Sequence, residues 1–99
     1  MLFVLVAYDG TDEGAPARRQ AARPAHLEGV GCLSAAGNLK VGGALLDDDG
    51  KMIGSMMILD YPSEEALRAE FLATEPYVTE GVWQEIRIHP FRPPGEVKL

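Results

Sequence analysis

The run MLFVLVAY (Met1–Tyr8) is apolar at its odd and at its even positions alike. Successive side chains of a strand point to opposite faces, so a run of this kind must be covered on both sides. A second such run, KMIGSMMILD (Lys51–Asp60), has Ser55 as the polar residue in its middle. Two doubly apolar strands belong at the centre of a sheet.

The two remaining strand candidates are weaker. LKVGGALL (Leu39–Leu46) contains Gly42-Gly43, which thins the strand and marks a bulge or a close backbone contact. VWQEIRIHPF (Val82–Phe91) alternates, with Val82, Ile86 and Ile88 facing one way and Trp83, Glu85, Arg87 and His89 the other. That pattern suits a half-exposed edge. Asp47-Asp48-Asp49-Gly50 joins two of the runs as a hairpin turn. It lacks the ligand spacing and closing acid of an EF-hand loop and reads as a solvated turn.

Helices fill the gaps. Asp9 to Ala15 reads as a loop and Pro16 to Ala22 as a first helical piece. Pro24 lacks an N–H and crowds the preceding turn, which predicts a break near Ala22–Arg23 and a main helix over Pro24 to Ala36. Gly37-Asn38 is a left-handed stop. A second helix opens at Pro62-Ser63, with Ser63 as N-cap and Glu64 and Glu65 at its positive end. Pro76 disfavours helix at Glu75 and ends it near Ala73 or Thr74. Arg92 to Leu99 is a tail.

The order is β-α-β-β-α-β, the ferredoxin-like α+β arrangement with a four-stranded antiparallel sheet, in one domain over residues 1–99. Strands one and three lie centrally in that layout, where the doubly apolar runs fall. Two helices cover one face. The other face calls for a partner subunit, so the expected assembly is a homodimer through the sheet face.

Composition narrows the function classes. A chain of 99 residues buries only roughly 60–70% of its unfolded surface, and oligomerisation would add to that. The net charge of −6 speaks against a broad nucleic-acid surface and against anionic membranes. Cys32 is the one cysteine, so no intrachain disulfide is possible. With no signal-like or membrane-spanning run, the expected location is cytoplasmic.

On a helical wheel His26, Val30 and Leu33 stack on the core-facing stripe. A histidine there, with an ordinary pKa of about 6.5, suits proton transfer and equally suits an ordinary buried, hydrogen-bonded ring. Glu75 sits in a stiff Glu-Pro-Tyr turn and is the attractive orienting acceptor. Tyr77 and Tyr8 are candidate hydrogen-bond donors to a pocket or plain core and rim residues. Ser55 needs a polar partner if buried, and no G-x-S-x-G elbow surrounds it. Arg18, Arg19 and Arg23 either draw in an anionic substrate or form a solvated helix face. Cys32 reads as an incidental thiol. No histidine or carboxylate spacing indicates a metal, no glycine-rich phosphate loop is present, and the paired strand aromatics of an RNA-binding sheet are missing.

Arg23-Pro24-Ala25-His26-Leu27, followed by Glu75-Pro76-Tyr77-Val78 and Gly81-Val82-Trp83, resembles the YciI-like family. The similarity spans nearly the whole chain, from Tyr8-Asp9 through Gly37 and Gly54-Ser55 to Pro90-Phe91. The resemblance implies a dimeric α+β barrel, two sheets packed face to face with helices outside, similar to muconolactone isomerases and small barrel monooxygenases. It implies a His–Asp pair as the catalytic element, as proposed for a member that dehydrochlorinates a chlorinated hydroxyquinol. His26 matches that histidine, while Glu75 stands in place of the aspartate and Gly42-Gly43 in place of a Gly-Pro.

The resulting expectation is a small cofactor-independent enzyme. His26 is general base or acid, Glu75 orients it, and Ser55, Tyr77, Tyr8 and Arg23 line the pocket. The reaction expected is proton abstraction or elimination on a small cyclic or aromatic oxygenated compound. A non-catalytic ligand-binding or regulatory dimer is the alternative, and barrel-type monooxygenase action the third reading.

Overall fold

The computed structural model describes residues 1–99. Its elements run β1 (Leu2–Asp9), α1 (Ala15–Ala36), β2 (Leu39–Leu46), β3 (Met52–Asp60) and α2 (Glu64–Leu67). A single π-helical turn (Arg68–Leu72), α3 (Pro76–Thr79) and β4 (Trp83–Pro90) complete the chain. The strands form one antiparallel sheet in the order β2-β3-β1-β4, so the ferredoxin-like topology and the central place of the two doubly apolar strands are both present.

Register sorts the side chains onto two faces. Leu5 lies between Met57 and Ile88, and Ala7 between Ser55 and Ile86. This face carries the core, where Phe3, Leu5, Met57 and Leu59 pack with Leu67, Phe71, Tyr77 and Trp83. Leu5, Leu59 and Leu67 are completely buried, each contributing about 1.5–3 kcal/mol relative to exposure. The opposite face, with Val4, Val6 and Met56, is only half-buried.

Three expectations need correction. The dimeric α+β barrel is not what forms: the sheet is open, with β2 and β4 as edges that do not hydrogen-bond to each other. Four strands are too few to close on themselves; about eight make a small barrel. Next, α1 is continuous through Pro24, with no break near Ala22–Arg23. Proline removes one bond, to the carbonyl of Gln20, and Gln20 is exposed, so water can take that carbonyl. Meanwhile the buried stripe Ala15, Arg19, Ala22 and His26 runs across the proline and holds both halves to the sheet. Finally, Trp83 faces the core together with Ile86 and Ile88 rather than away from them. The β1–β4 register slips between Tyr8 and Asp9, where Trp83 pairs with Asp9 and Glu85 with Tyr8. That irregularity accommodates an extra residue and reverses the alternation expected from sequence.

The local signals otherwise act as read. Gly37 adopts φ 85° and closes α1, with Asn38 N–H donating to the Leu33 carbonyl. Ser63 caps α2 by accepting from Ala66 N–H, and Asp47 Oδ1 accepts from the N–H groups of Asp49 and Lys51 in the hairpin turn.

Gly54 is buried opposite Tyr8, and a Cβ there would run into the Ala7 carbonyl oxygen, far inside contact distance. Both strands are central, so neither can step aside. Gly54→Ala is expected to cost about 3 kcal/mol. For a domain of this size that is a Tm fall of roughly 12–24 °C, read by thermal unfolding.

Candidate functional site

The site begins with small residues. On β2, Gly42 and Ala44 lie beside Met57 and Ser55 of β3, and with so little side chain they leave space between this side of the sheet and α1. The space is a cavity of about 200 Å³ whose lining includes Arg19, Arg23, His26, Ser55, Met57 and Tyr77. An apolar cavity of about 150 Å³ holds benzene, so this one matches a single ring in size.

His26 comes from the buried stripe of α1 and is 8% exposed. Its Nδ1 hydrogen-bonds Glu75 Oε1, across 49 positions of sequence. Glu75 is itself 4% exposed and tightly placed. Its backbone is extended (ψ 122°), as expected of a residue before proline, and its Oε1 also accepts from Tyr77 N–H as the N-cap of α3. The π turn just upstream, where Ala73 N–H donates to the Arg68 carbonyl, shapes the approach to this cap. In the neutral tautomer that donates Nδ1–H to this carboxylate, the lone pair is on Nε2, which makes no hydrogen bond within the protein, and the His26 side chain lines the cavity. That is the arrangement of a general base with a fixed tautomer.

Aromatic rings clamp the histidine. Tyr77 stacks on His26 with centroids 3.8 Å apart and planes 12° from parallel. Trp83 stands edge-on to both, 6.2 Å from His26 and 5.6 Å from Tyr77. Burial pushes the Tyr77 phenol above its ordinary pKa of about 10, so its hydroxyl is protonated at neutral pH. That hydroxyl is buried and has no hydrogen-bond partner.

A second polar group adjoins the first. Arg19 Nη1 donates to both oxygens of Asp9 at 3.0 Å, an ion pair whose side chains are 6% and 7% exposed. Arg19 Nη2 donates to Ser55 Oγ at 3.3 Å, and Trp83 Nε1 donates to the same oxygen at 3.2 Å. The Arg19 guanidinium also lies 4.8 Å from the Tyr77 ring centroid, within cation–π range.

The structure therefore places His26, Ser55, Tyr77 and Arg23 in the lining of one cavity, with Glu75 outside that lining and joined to it through His26. Tyr8 is not among them: it is 42% exposed and borders separate grooves beside Asp9, Gly10 and Asp12. Its place on β1 explains this, since Tyr8 points away from the face that Ala7 shares with Ser55. Of the arginine cluster, Arg18 pairs with Asp12 at the surface and holds that carboxyl down at about 2, whereas Arg19 is buried. Sequence reasoning missed the roles of Arg19, Asp9 and Trp83. The signal for Arg19 was its spacing, seven residues before His26 on the same stripe as Ala15 and Ala22. No group of three or more His, Cys, Asp or Glu side chains converges in a way that could hold a metal ion. No helix is long and apolar enough to cross a membrane.

Comparison with known proteins agrees with this architecture. The profile of the YCII-related domain matches residues 1–92. Protein YciI of Shigella flexneri is 33% identical over 98 residues, covering 93% of this chain and 97% of that protein. Among solved structures, the 5-chloro-2-hydroxyhydroquinone dehydrochlorinase of Burkholderia phenoliruptrix AC1100, complexed with 2,5-dihydroxybenzoquinone, superposes with a TM-score of 0.82 at 24% identity. The match covers 99% of this chain and 100% of that one. An uncharacterized NIPSNAP domain protein of Burkholderia xenovorans shares the fold more distantly, with a TM-score of 0.53 at 17% identity over 99% of both chains.

Proposed function

The chain belongs to the YCII-related family, and from that premise we propose that it is a small enzyme doing acid–base chemistry on a single oxygenated ring. His26 Nε2 takes or returns the proton, and Glu75 holds the imidazole in the tautomer that leaves Nε2 free. The observation that carries this reading is the buried His26–Glu75 hydrogen bond in the wall of a ring-sized cavity. Arg23 lines the same cavity without a carboxylate partner, which favours a substrate bearing negative charge.

Elimination is the reaction class that fits best. A C–H or O–H proton passes to His26, the electron pair moves into the ring, and an anionic leaving group departs. The dehydrochlorinase of similar fold supports this class by analogy and supplies a first substrate to test, 5-chloro-2-hydroxyhydroquinone. Wild-type protein is expected to release chloride from it, or a corresponding anion from another substituted hydroxylated ring, in proportion to enzyme. Rings that bind in the cavity with no turnover across such a panel would instead make the protein a non-catalytic ligand-binding module.

We also propose that a second copy of the chain covers the half-buried sheet face of Val4, Val6 and Met56. A charge at its centre, Val6→Lys, is expected to convert a dimer to a monomer in sedimentation. Equal sedimentation of both proteins would contradict this.

A further inference from the structure

Ser55 is cast in an unusual hydrogen-bonding role. A hydroxyl has two acceptor lone pairs and one proton to give. Both lone pairs of Ser55 Oγ are engaged, by Arg19 Nη2 and by Trp83 Nε1. Neither of those groups can accept in return, so the Ser55 proton must be given elsewhere, and no acceptor in the protein takes it. The donor on one side is a cation, which polarises the O–H and strengthens it as a donor. Tyr77 has the matching feature: a buried, protonated hydroxyl with no partner. Both residues line the cavity that His26 borders. A buried polar group left unpaired is costly, so two unpaired donors at one cavity point to an acceptor that arrives with the ligand.

We propose that Ser55 Oγ–H and Tyr77 Oη–H form an oxyanion site, and that the cavity selects rings carrying a phenolate or an oxygen that becomes an enolate. Its catalytic meaning rests on the acid–base reading above. When a ring C–H proton moves to His26 Nε2, the C–H electron pair shifts into the ring and onto a carbonyl oxygen. No atom is oxidised or reduced by this step, and the proposed role of the two hydroxyls is to meet the charge that develops on that oxygen. The same geometry excludes Ser55 as a nucleophile, because the lone pairs an attack requires are already committed and no base accepts its proton.

The test is equilibrium binding and needs no turnover. The probes are 4-nitrophenol, whose ionised form is visible by absorbance, and 4-nitroanisole, which has the same ring and cannot ionise. Wild-type protein is expected to bind 4-nitrophenol as the phenolate, with a larger ionised fraction when bound than when free at the same pH. Tyr77→Phe removes a hydroxyl that has no partner in the protein, so it is expected to fold normally and to weaken phenolate binding about tenfold or more. Its 4-nitroanisole binding should stay as in the wild type. Ser55→Ala is expected to act in the same direction. Equal ionisation of bound and free 4-nitrophenol, or Tyr77→Phe binding both probes as the wild type does, would overturn the oxyanion site. Phenolate selectivity in a protein that turns over no ring would uphold the oxyanion site and remove only the catalytic reading.

Discussion

Asp9→Asn is expected to destabilise the fold by about 3–5 kcal/mol, the cost of leaving one member of a buried ion pair without its counter-charge. The whole stability of a small domain is about 5–15 kcal/mol, so the variant should be close to unfolding at 37 °C. The argument rests on the burial of Arg19. Its guanidinium is held between the Asp9 carboxylate, Ser55 Oγ and the Tyr77 ring, with its Nε already unpartnered. Removing the carboxylate charge leaves a cation that the interior cannot solvate. Removing both charges is different: Asp9→Leu with Arg19→Met is expected to be far less destabilising than Asp9→Asn alone. Chemical denaturation of the three proteins checks this. A Asp9→Asn variant as stable as the wild type would mean that water or another group compensates Arg19.

His26→Asn is expected to lower kcat by about 10²–10⁴, the usual contribution of a positioned proton-transfer group, with little change in KM. Asparagine can still present an amide N–H to Glu75, so the local contact and the fold are preserved while Nε2 is lost. The rate loss then reports proton transfer rather than collapse of the site. A parallel rise in KM with unchanged kcat would place His26 in ligand binding instead.

Much of this protein was legible before its structure. The doubly apolar runs at Met1–Tyr8 and Lys51–Asp60 announced central strands because alternation is a direct consequence of strand geometry. Turns, caps and the Gly37 stop were legible for the same local reason. What failed were features decided by register or by distant partners. The slip beside Tyr8 and Asp9 turned Trp83 into the core, and no residue of VWQEIRIHPF by itself signals it. Pro24 was read as a helix breaker by its local cost, but burial of the stripe on both sides outweighed one lost hydrogen bond. The doubly apolar strands imply cover on both faces, yet cover does not require closure, and the sheet stays open.

The site divides in the same way. His26 was visible from helical spacing, and the stiff Glu-Pro-Tyr turn made Glu75 attractive. The contact between them depends on the crossing of α1 and α3. Glu75 reaches the imidazole while capping α3 with the same oxygen. Arg19 stayed hidden because arginine is almost never fully buried unless paired, and its partner Asp9 looked like loop. The Asp-to-Arg pair crosses from the end of β1 to α1 and supports Ser55 and Tyr77 from behind.

The central claim is that His26 and Glu75 transfer a proton as one unit. A double-mutant cycle in kcat, with His26→Asn, Glu75→Gln and both together, tests it most directly. Glutamine keeps an oxygen to cap Tyr77 N–H and removes the charge that fixes the imidazole. If the pair acts as a unit, the double variant is no slower than His26→Asn alone, because an orienting group has nothing left to orient. Losses that multiply fully in the double variant would mean that the two residues act independently, and would contradict the account.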